Sequence, residues 1–517
     1  MTFEIVFVLL SLLGMVAALV ADKMRPGMVL FSVVVLFLCV GILTPKEMLE
    51  GFSNKGMITV ALLFLVSEGI RQSGTLGQVI KKLLPQGRTT VFKAQLRILP
   101  SVAFISAFLN NTPVVVIFAP IIKHWAKSVK LPATKFLIPL SYVTILGGIC
   151  TLIGTSTNLV VHGMILEAGF EGFSMFELGK VGIFIAIAGI IYLFVFSKRL
   201  LPDARPDTAV PDEDVEEGEK LHRVEAVLGA RFPGINKKLK DFNFQRHYGA
   251  EVKEIKTRNG QRFVANLEDV VLHEGDTLVV MADDTFIPTW GESSVFVLLT
   301  NGNEPDTTGK KKRWFALLLL VLMIVGATVG ELPMMKEILP DIKLDMFFFV
   351  SITTIIMAWT NLFPARKYTK YISWDILITI ACAFAISKAM VNSGVADCVA
   401  KFIIGLSDDY GPHVLLAMLF IITNLFTELI TNNAAAALAF PLALSIAAQL
   451  GVSPTPFFVV ICMAASASFS TPIGYQTNLI VQGIGNYKFT DFVRIGLPLN
   501  IITFVISIIL IPMIWNF

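Results

Sequence analysis

The feature that most constrains this chain is a helix-breaking pattern written twice. One copy reads Asn110-Asn111-Thr112, runs apolar to Pro120, and continues later as Thr151-Leu152-Ile153-Gly154-Thr155-Ser156-Thr157-Asn158. The other reads Thr431-Asn432-Asn433, runs apolar to Pro441, and continues as Thr471-Pro472-Ile473-Gly474-Tyr475-Gln476-Thr477-Asn478. Aligning Thr151–Gly163 with Thr471–Gly483 gives eight identities in thirteen positions, and in both copies a proline stands nine residues after the middle of the triplet. Paired interruptions at matching places in two hydrophobic halves are the signature of a transporter built from a repeat. Irregular backbone at membrane depth persists only where it lines a polar cavity, so each interruption marks a binding site.

Composition agrees. With 55% hydrophobic and 16% charged residues and a mean hydropathy of +0.72, an ordinary soluble protein is excluded and a polytopic membrane protein fits. The net charge of +3 does not imply a nucleic-acid partner. Five cysteines, Cys39, Cys150, Cys382, Cys398 and Cys462, are scattered through apolar segments without metal-ligand spacing and read as packing residues. Met1–Ala21 has no basic leader and reads as a first span rather than a cleaved signal.

Spans are expected at about 3–21, 27–43, 57–70, 136–165 (interrupted at Thr151–Asn158) and 179–197, with 91–125 too short for two comfortable crossings and so a re-entrant hairpin. The order repeats as 314–330, 346–363, 373–391, a hairpin across 396–450, a broken span 456–484 and a last span 495–515. The expected fold is therefore an all-α polytopic membrane protein: an inverted repeat, with five transmembrane helices and one re-entrant hairpin in each half. An odd number of crossings per half makes the second half enter from the opposite side. Loop charges agree. One side holds Lys23, Arg25, Arg71, Lys81, Lys82, Arg88, Lys93, Arg97, Lys123, Lys127, Lys130, Lys135, Lys198, Arg199, Lys310–Arg313, Arg366, Lys367, Lys370, Lys488 and Arg494. The other holds Glu167, Glu171, Glu177, Glu331, Glu337, Asp341, Asp345, Asp397, Asp408 and Asp409. The polar insert is placed in the cytoplasm and both termini outside, in a plasma membrane of the bacterial inner-membrane kind.

The expected domains are membrane repeat one at 1–200, an acidic linker at 201–220, a small α/β cytoplasmic domain at 221–290, a second linker at 291–312 and membrane repeat two at 313–517. Within the insert, strands are expected at Leu221–Gly229, Ala250–Thr257, Arg262–Val264 and Asp276–Met281, a short helix at Asn236–Phe242 and a turn at Asn259-Gly260. The stretches Glu225-Ala226-Val227, Tyr248–Val252 and Leu272–Leu278 resemble the C-terminal domain of TrkA/RCK regulators of potassium transport, which implies a small module that pairs and binds a ligand.

A half-helix begins after each triplet. Its first N–H groups are unpaired and its dipole is positive there, which attracts an anion. Pro113 fits the first turn, where its missing N–H costs nothing. Asn111, Thr112, Asn432 and Asn433 add side-chain donors and acceptors, and Thr155 and Thr471 stand in the breaks. Carbonyls and hydroxyls freed there suit a hard monovalent cation. The bland alternative is that small and hydroxyl residues only pack helices; for Thr157, Thr477, Gly163 and Gly483 it is as strong as the functional one. Asn158 and Asn478 are candidate caps of the resumed half-helices. Glu428, just before the second triplet, is a candidate coupling carboxylate, since a carboxylate at that depth is costly. Glu68 reads as a partner of Arg71, Asp375 as interfacial, and His162 and Gln482 as equivalent positions beyond the breaks.

The triplets with their prolines and the Thr-x-Ile-Gly-x-x-Thr-Asn breaks resemble the divalent anion:sodium symporter (DASS) family of the ion-transporter superfamily. The resemblance implies a homodimer with a scaffold part and a transport part that moves as an elevator. It implies one sodium site at Ser106, Asn110, Asn111 and Gly154, and a second at Thr427, Ile430 (by its carbonyl), Asn432 and Ser470. It implies substrate contacts at Asn111, Thr112, Thr155, Asn432, Asn433, Thr471 and Pro472. Triplets other than Ser-Asn-Thr, and Ser156-Thr157 and Gln476-Thr477 where the carboxylate transporters carry Pro-Pro, weigh against a dicarboxylate, and Gly474-Tyr475-Gln476-Thr477-Asn478 with an inserted domain resembles the branch associated with sulfate. The expected function is thus sodium-coupled symport of sulfate or a similar divalent oxyanion, with sodium ions co-transported and no organic cofactor. The expected partners are that small anion, the lipid bilayer and a second copy of the chain. C4-dicarboxylate symport is the alternative within the class, and a channel or transport-like sensor gated by the cytoplasmic domain the alternative outside it. An enzyme is not expected, since no nucleophile–base or metal constellation occurs.

Overall fold

The computed structural model describes residues 3–21, 24–85, 87–203, 222–229, 232–257, 261–283, 286, 290, 295–300, 310–330, 332–338, 342–405 and 411–517. Lys23, Glu331, Asp341, Asp408, Asp409, the turn at Asn259-Gly260 and most of the 201–220 and 291–312 linkers lie outside the described residues. Leaving aside helices shorter than eight residues, the first half has α1 (Phe3–Val20), α2 (Pro26–Val40), α3 (Lys55–Gln72), α4 (Thr75–Leu83), α5 (Val91–Ser106), α6 (Asn111–Ser128), α7 (Leu137–Gly148), α8 (Ser156–Glu167) and α9 (Gly179–Leu200). The second half has α10 (Lys310–Gly330), α11 (Met346–Trp359), α12 (Trp374–Asn392), α13 (Val395–Gly405), α14 (Gly411–Leu429), α15 (Asn432–Leu450), α16 (Thr455–Ser466), α17 (Gln476–Gly485) and α18 (Phe489–Ile514). Each helix of the first half has its counterpart nine places later.

Packing follows the same pairing. Helix α2 packs on α12 and α3 on α11; α5 packs on α7 and α14 on α16; α6 packs on α17 and α8 on α15; α9 packs on α18. Each contact reappears when the halves are exchanged, and most cross from one half to the other. The halves are interleaved, so neither buries its apolar surface alone. Helix α7 is buried along its whole length and α16 nearly so, whereas α1, α9, α10 and α18 expose Leu10, Leu13, Ile187, Ile191, Leu318, Leu322, Ile501 and Ile509. A contiguous apolar outer face around a core that holds the broken helices is the arrangement a bilayer demands.

Eight helices among the described residues are long and apolar enough to cross a membrane. Both legs across 396–450, α14 and α15, are among them with 19 residues each, so leg length alone does not make that segment re-entrant. In the first half α5 has only 16 residues and is interrupted by Pro100.

The insert folds as a five-stranded antiparallel sheet of order β3-β2-β4-β1-β5, from β1 (His222–Leu228), β2 (Glu251–Lys256), β3 (Arg262–Phe263), β4 (Thr277–Ala282) and β5 (Phe296–Thr300). The fifth strand corrects the expected boundary at 290: β5 pairs with β1 inside the stretch read as the 291–312 linker. Its single short apolar run, with no alternation to set it apart from a loop, hid it. The expected helix at Asn236–Phe242 is only a 3-10 turn at Leu239–Asp241, and a helical turn follows at Phe244–Tyr248. Phe232, Phe242, Phe244, Tyr248 and Phe296 make the core, with ring centroids 4.8–6.2 Å apart.

The sheet sits against the two half-helices nearest the breaks. Lys123 of α6 donates to both carboxylate oxygens of Glu225 on β1 at 3.0 Å, with Lys256 behind at 3.5 Å. Gly275 and Thr277 of the sheet meet Leu479 and Gly483 of α17, where an added Cβ on Gly483 would lie 2.5 Å from Thr277 Oγ1. Burial pushes the Glu225 carboxyl up, but Lys123 and Lys256 outweigh it and hold it down at about 2. A depressed carboxyl contributes stability above its unfolded value and loses it as pH falls through the folded one. Hydrogen-exchange protection of β1 is therefore expected to be flat from pH 8 to 5 and to weaken only below about pH 4. Lys123→Glu or Glu225→Lys alone is expected to loosen the contact by about 1.5–3 kcal/mol, the scale of a charge-assisted bond, and the double exchange to restore protection.

Candidate functional site

Four helices begin at the centre of the bundle. They are α6 and α15, which follow the triplets, and α8 and α17, which resume after the breaks. The residues before them, Asn110, Thr431, Thr155 and Tyr475, have extended or near-extended backbone, and none of their side chains caps the helix it precedes. Three of the four are residue types that usually cap. The first-turn N–H groups of all four helices, at the positive ends of their dipoles, are thus not capped by the side chain before them.

The triplets bond across to the opposite break. Thr112 donates to Gln476 Oε1 at 3.4 Å. In the matching contact Asn433 Oδ1 accepts from Ser156 at 3.3 Å and from Thr157 at 3.2 Å. Tyr475 joins the two sides: its hydroxyl lies 3.2 Å from Thr155 Oγ1 and 2.5 Å from the Asn111 amide, with the Asn432 side chain beside it. Read from the sequence, Tyr475 belongs to the Gly-Tyr-Gln-Thr-Asn stretch but has no assigned place at the site, although it is the repeat counterpart of Thr155.

The other end of the Asn111 amide faces only oxygens: Ser106 Oγ at 2.8 Å, the Thr144 carbonyl at 3.0 Å and the Gly154 carbonyl at 3.3 Å. With the amide nitrogen on that side every group is paired, and Tyr475 donates to the amide oxygen. Ser106, Asn111 and Gly154 thus meet at one point, joined by Thr144, which no motif marked. Asn110 lies apart from them, in a cleft with Val60, Ser67, Ile153, Ser156 and Met323. In the second half Thr427 Oγ1 lies 2.8 Å from Asn432 Oδ1, repeating the Ser106–Asn111 relation, and also reaches the Ala465 carbonyl. An added Cβ on Gly474, the counterpart of Gly154, would strike the Thr427 carbonyl and Ser468 Oγ, so only glycine permits this approach. Ile430 closes the turn before the triplet through its N–H to Phe426.

Ser470, Thr471 and Glu428 form a separate cluster. The Glu428 carboxylate accepts from the Ser470 and Thr471 N–H groups, both at 2.8 Å, and from Asn500 Nδ2 at 2.7 Å. Asn500 also donates to Ser470 Oγ at 2.8 Å, and the Thr471 hydroxyl donates to the Glu428 carbonyl at 2.9 Å. Glu428 therefore supplies the acceptors that the unwound backbone lost. Pro472 is buried beside it. Asn158 and Asn478 do not cap the resumed helices. Each donates back to the carbonyl that opens its break, Thr151 at 2.9 Å and Thr471 at 3.2 Å, and so closes the loop from inside. His162 Nδ1 and both ends of the Gln482 amide are buried without a hydrogen-bond partner among the described residues. Glu68 forms the expected two-bond pair with Arg71, and Asp375 accepts from the Gly27 N–H at the start of α2. No group of three or more His, Cys, Asp or Glu side chains is placed to hold a metal among the described residues.

Comparison with known proteins accords with this geometry. The family model described as "Citrate transporter" (CitMHS) matches residues 16–451 and 342–517. The chain belongs to the citrate transporter family. An "uncharacterized transporter" of Synechocystis sp. is 29% identical, with 94% of this chain and 93% of that protein covered. A protein of Chlamydomonas reinhardtii named "Probable sodium/sulfate cotransporter 3" is 22% identical, covering 90% and 83%. The chain also shares the fold of the Alcanivorax borkumensis YdaH transporter, with a TM-score of 0.51 at 12% identity over 90% of this chain and 86% of that one. As a member of this family the chain is an integral membrane protein, and a transporter rather than an enzyme.

Glu428→Gln removes one acceptor from a pair of backbone N–H groups. It is expected to lower stability by about 2 kcal/mol, the scale of an orphaned buried donor, read as a lower midpoint in a detergent thermal melt.

Proposed function

We propose that the chain is a sodium-coupled symporter of sulfate or a similar divalent oxyanion. The observation that carries this reading is the crosswise bonding of each triplet to the opposite break, which aims four uncapped helix starts at one small polar space. A dianion there meets N–H groups and hydroxyls, with no lysine or arginine at the motif positions to neutralise it. The balancing charge is then a co-transported cation. The Asn111 amide gives it a place: turned over, its oxygen joins Ser106 Oγ and the Thr144 and Gly154 carbonyls as four oxygens for a sodium ion. The same turn points the amide nitrogen at Tyr475, and so links cation and anion. Thr427 and Asn432, with the Ile430 carbonyl, are the matching set for a second ion, while Ser470, the remaining ligand expected there, is held in the neighbouring cluster by Glu428 and Asn500. The substrate contacts we assign are Asn111, Thr112, Thr155, Asn432 and Asn433, with Thr471 and Pro472 shaping the second break.

In this reading the halves are an inverted repeat, α5–α6 and α14–α15 are the hairpins, and the breaks move as one elevator within a homodimer in the bacterial inner membrane. Matched contacts between the halves support the repeat. The named sodium/sulfate relative supports the anion and the cation. The sheet is a cytoplasmic TrkA/RCK-type module, and both termini lie outside.

Purified protein in liposomes is expected to accumulate radiolabelled sulfate only with an inward sodium gradient. Uptake indifferent to sodium would overturn symport, and succinate or citrate displacing sulfate would assign the site to carboxylates. Asn111→Ala and Asn432→Ala are each expected to reduce uptake to background while leaving the detergent-solubilised protein monodisperse.

A further inference from the structure

The two breaks are equivalent in backbone but not in what they place at the centre. Thr155 and Tyr475 stand at matching positions before α8 and α17, with φ/ψ of −137/145 and −132/127. A symmetrical site would carry two threonine hydroxyls facing each other across the cavity. Here one of them is a phenol, only 9% exposed, whose ring crosses from the second half to the first. Its hydroxyl reaches both Asn111 and Thr155, which belong to the opposite half, and Asn432 stands beside it. The phenol hydroxyl therefore stands between a residue of the first triplet and one of the second.

We propose that Tyr475 determines the specificity of the site. Its ring shortens the space between the triplets, so that a compact tetrahedral oxyanion fits and an extended dicarboxylate or citrate does not. An extended dianion needs one carboxylate at each triplet, with its carbon chain in between, and the Tyr475 hydroxyl stands between Asn111 and Asn432. The phenol also supplies what a compact anion needs. When the Asn111 nitrogen turns towards Tyr475, the hydroxyl accepts from it and its own proton is free to be donated to the anion. A serine or threonine on the same backbone is too short to reach Asn111. The claim rests on the reading that the triplets bind the anion, and deepens it.

The test compares wild type, Tyr475→Phe and Tyr475→Thr in liposomes with a sodium gradient, using labelled sulfate, succinate and citrate. Wild type is expected to take up sulfate and leave the two carboxylates at background. Tyr475→Phe keeps the ring and loses the donor, so KM for sulfate is expected to rise about tenfold, the scale of one hydrogen bond to a charged group, with the carboxylates still excluded. Tyr475→Thr restores the symmetrical site and is expected to admit succinate at a rate comparable with sulfate. If Tyr475→Thr folds and takes up sulfate but still excludes succinate, or if Tyr475→Phe alone admits succinate, size selection by the ring is refuted while the transport reading stands. Where Tyr475→Thr does not fold, an unchanged sulfate KM in Tyr475→Phe overturns the proposal. Wild type that prefers succinate or citrate refutes it outright. Wild type that moves none of the three refutes the functional reading and this inference with it.

Discussion

Backbone that leaves a helix inside a bilayer must find partners for its freed N–H and C=O groups, and the rest of this structure follows from how that demand is met. At each break the chain uses the asparagine seven residues on, Asn158 or Asn478, to recover the carbonyl that opens the loop. At the second break Glu428 accepts two N–H groups and an amide. At the four resumed or initiated helices the first-turn N–H groups are recovered by no side chain of the preceding residue. One set of polar groups is thus closed off internally and another is held open.

That division explains the interleaving of the halves. A single repeat would present its triplet and its break to lipid. Pairing α6 with α17 and α8 with α15 puts each triplet against the other half's break, and the polar ends cover one another. The wholly buried α7 and largely buried α16 then act as walls, and the exposed apolar faces of α1, α9, α10 and α18 form the outer boundary. The sheet adds a further connection. Its Glu225 and Thr277 touch α6 and α17, which start at the first triplet and after the second break, so the sheet is tied to the site's own helices rather than to the outer ones.

The repeat, the two triplets, the two breaks and the spans were legible because an interruption in an otherwise apolar helix is conspicuous, and doubly so when copied. Ser106 and Thr427 carry no such mark. They lie inside apolar helices and acquire meaning only because a turn of chain later each hydroxyl meets a triplet asparagine at 2.8 Å. Thr144 and Asn500 were illegible for a stronger reason: their partners are 33 and 72 residues distant in the chain, and only packing brings them together. The strand at Phe296–Thr300 was missed because a five-residue edge strand carries too little pattern to be told from a linker.

By itself the order of residues determined the class of the molecule: two hydrophobic halves, each broken at the same two places, with a small polar domain between them. That much depends on hydropathy and on where a helix cannot continue, which are local properties. Which break faces which triplet, the separation of Glu428 from the central space, and the reach of Tyr475 across to Asn111 were decided only by the tertiary structure. The reason is geometric: hydrogen bonds act over about 3 Å, and no spacing along a chain states which atoms a folded bundle will bring that close.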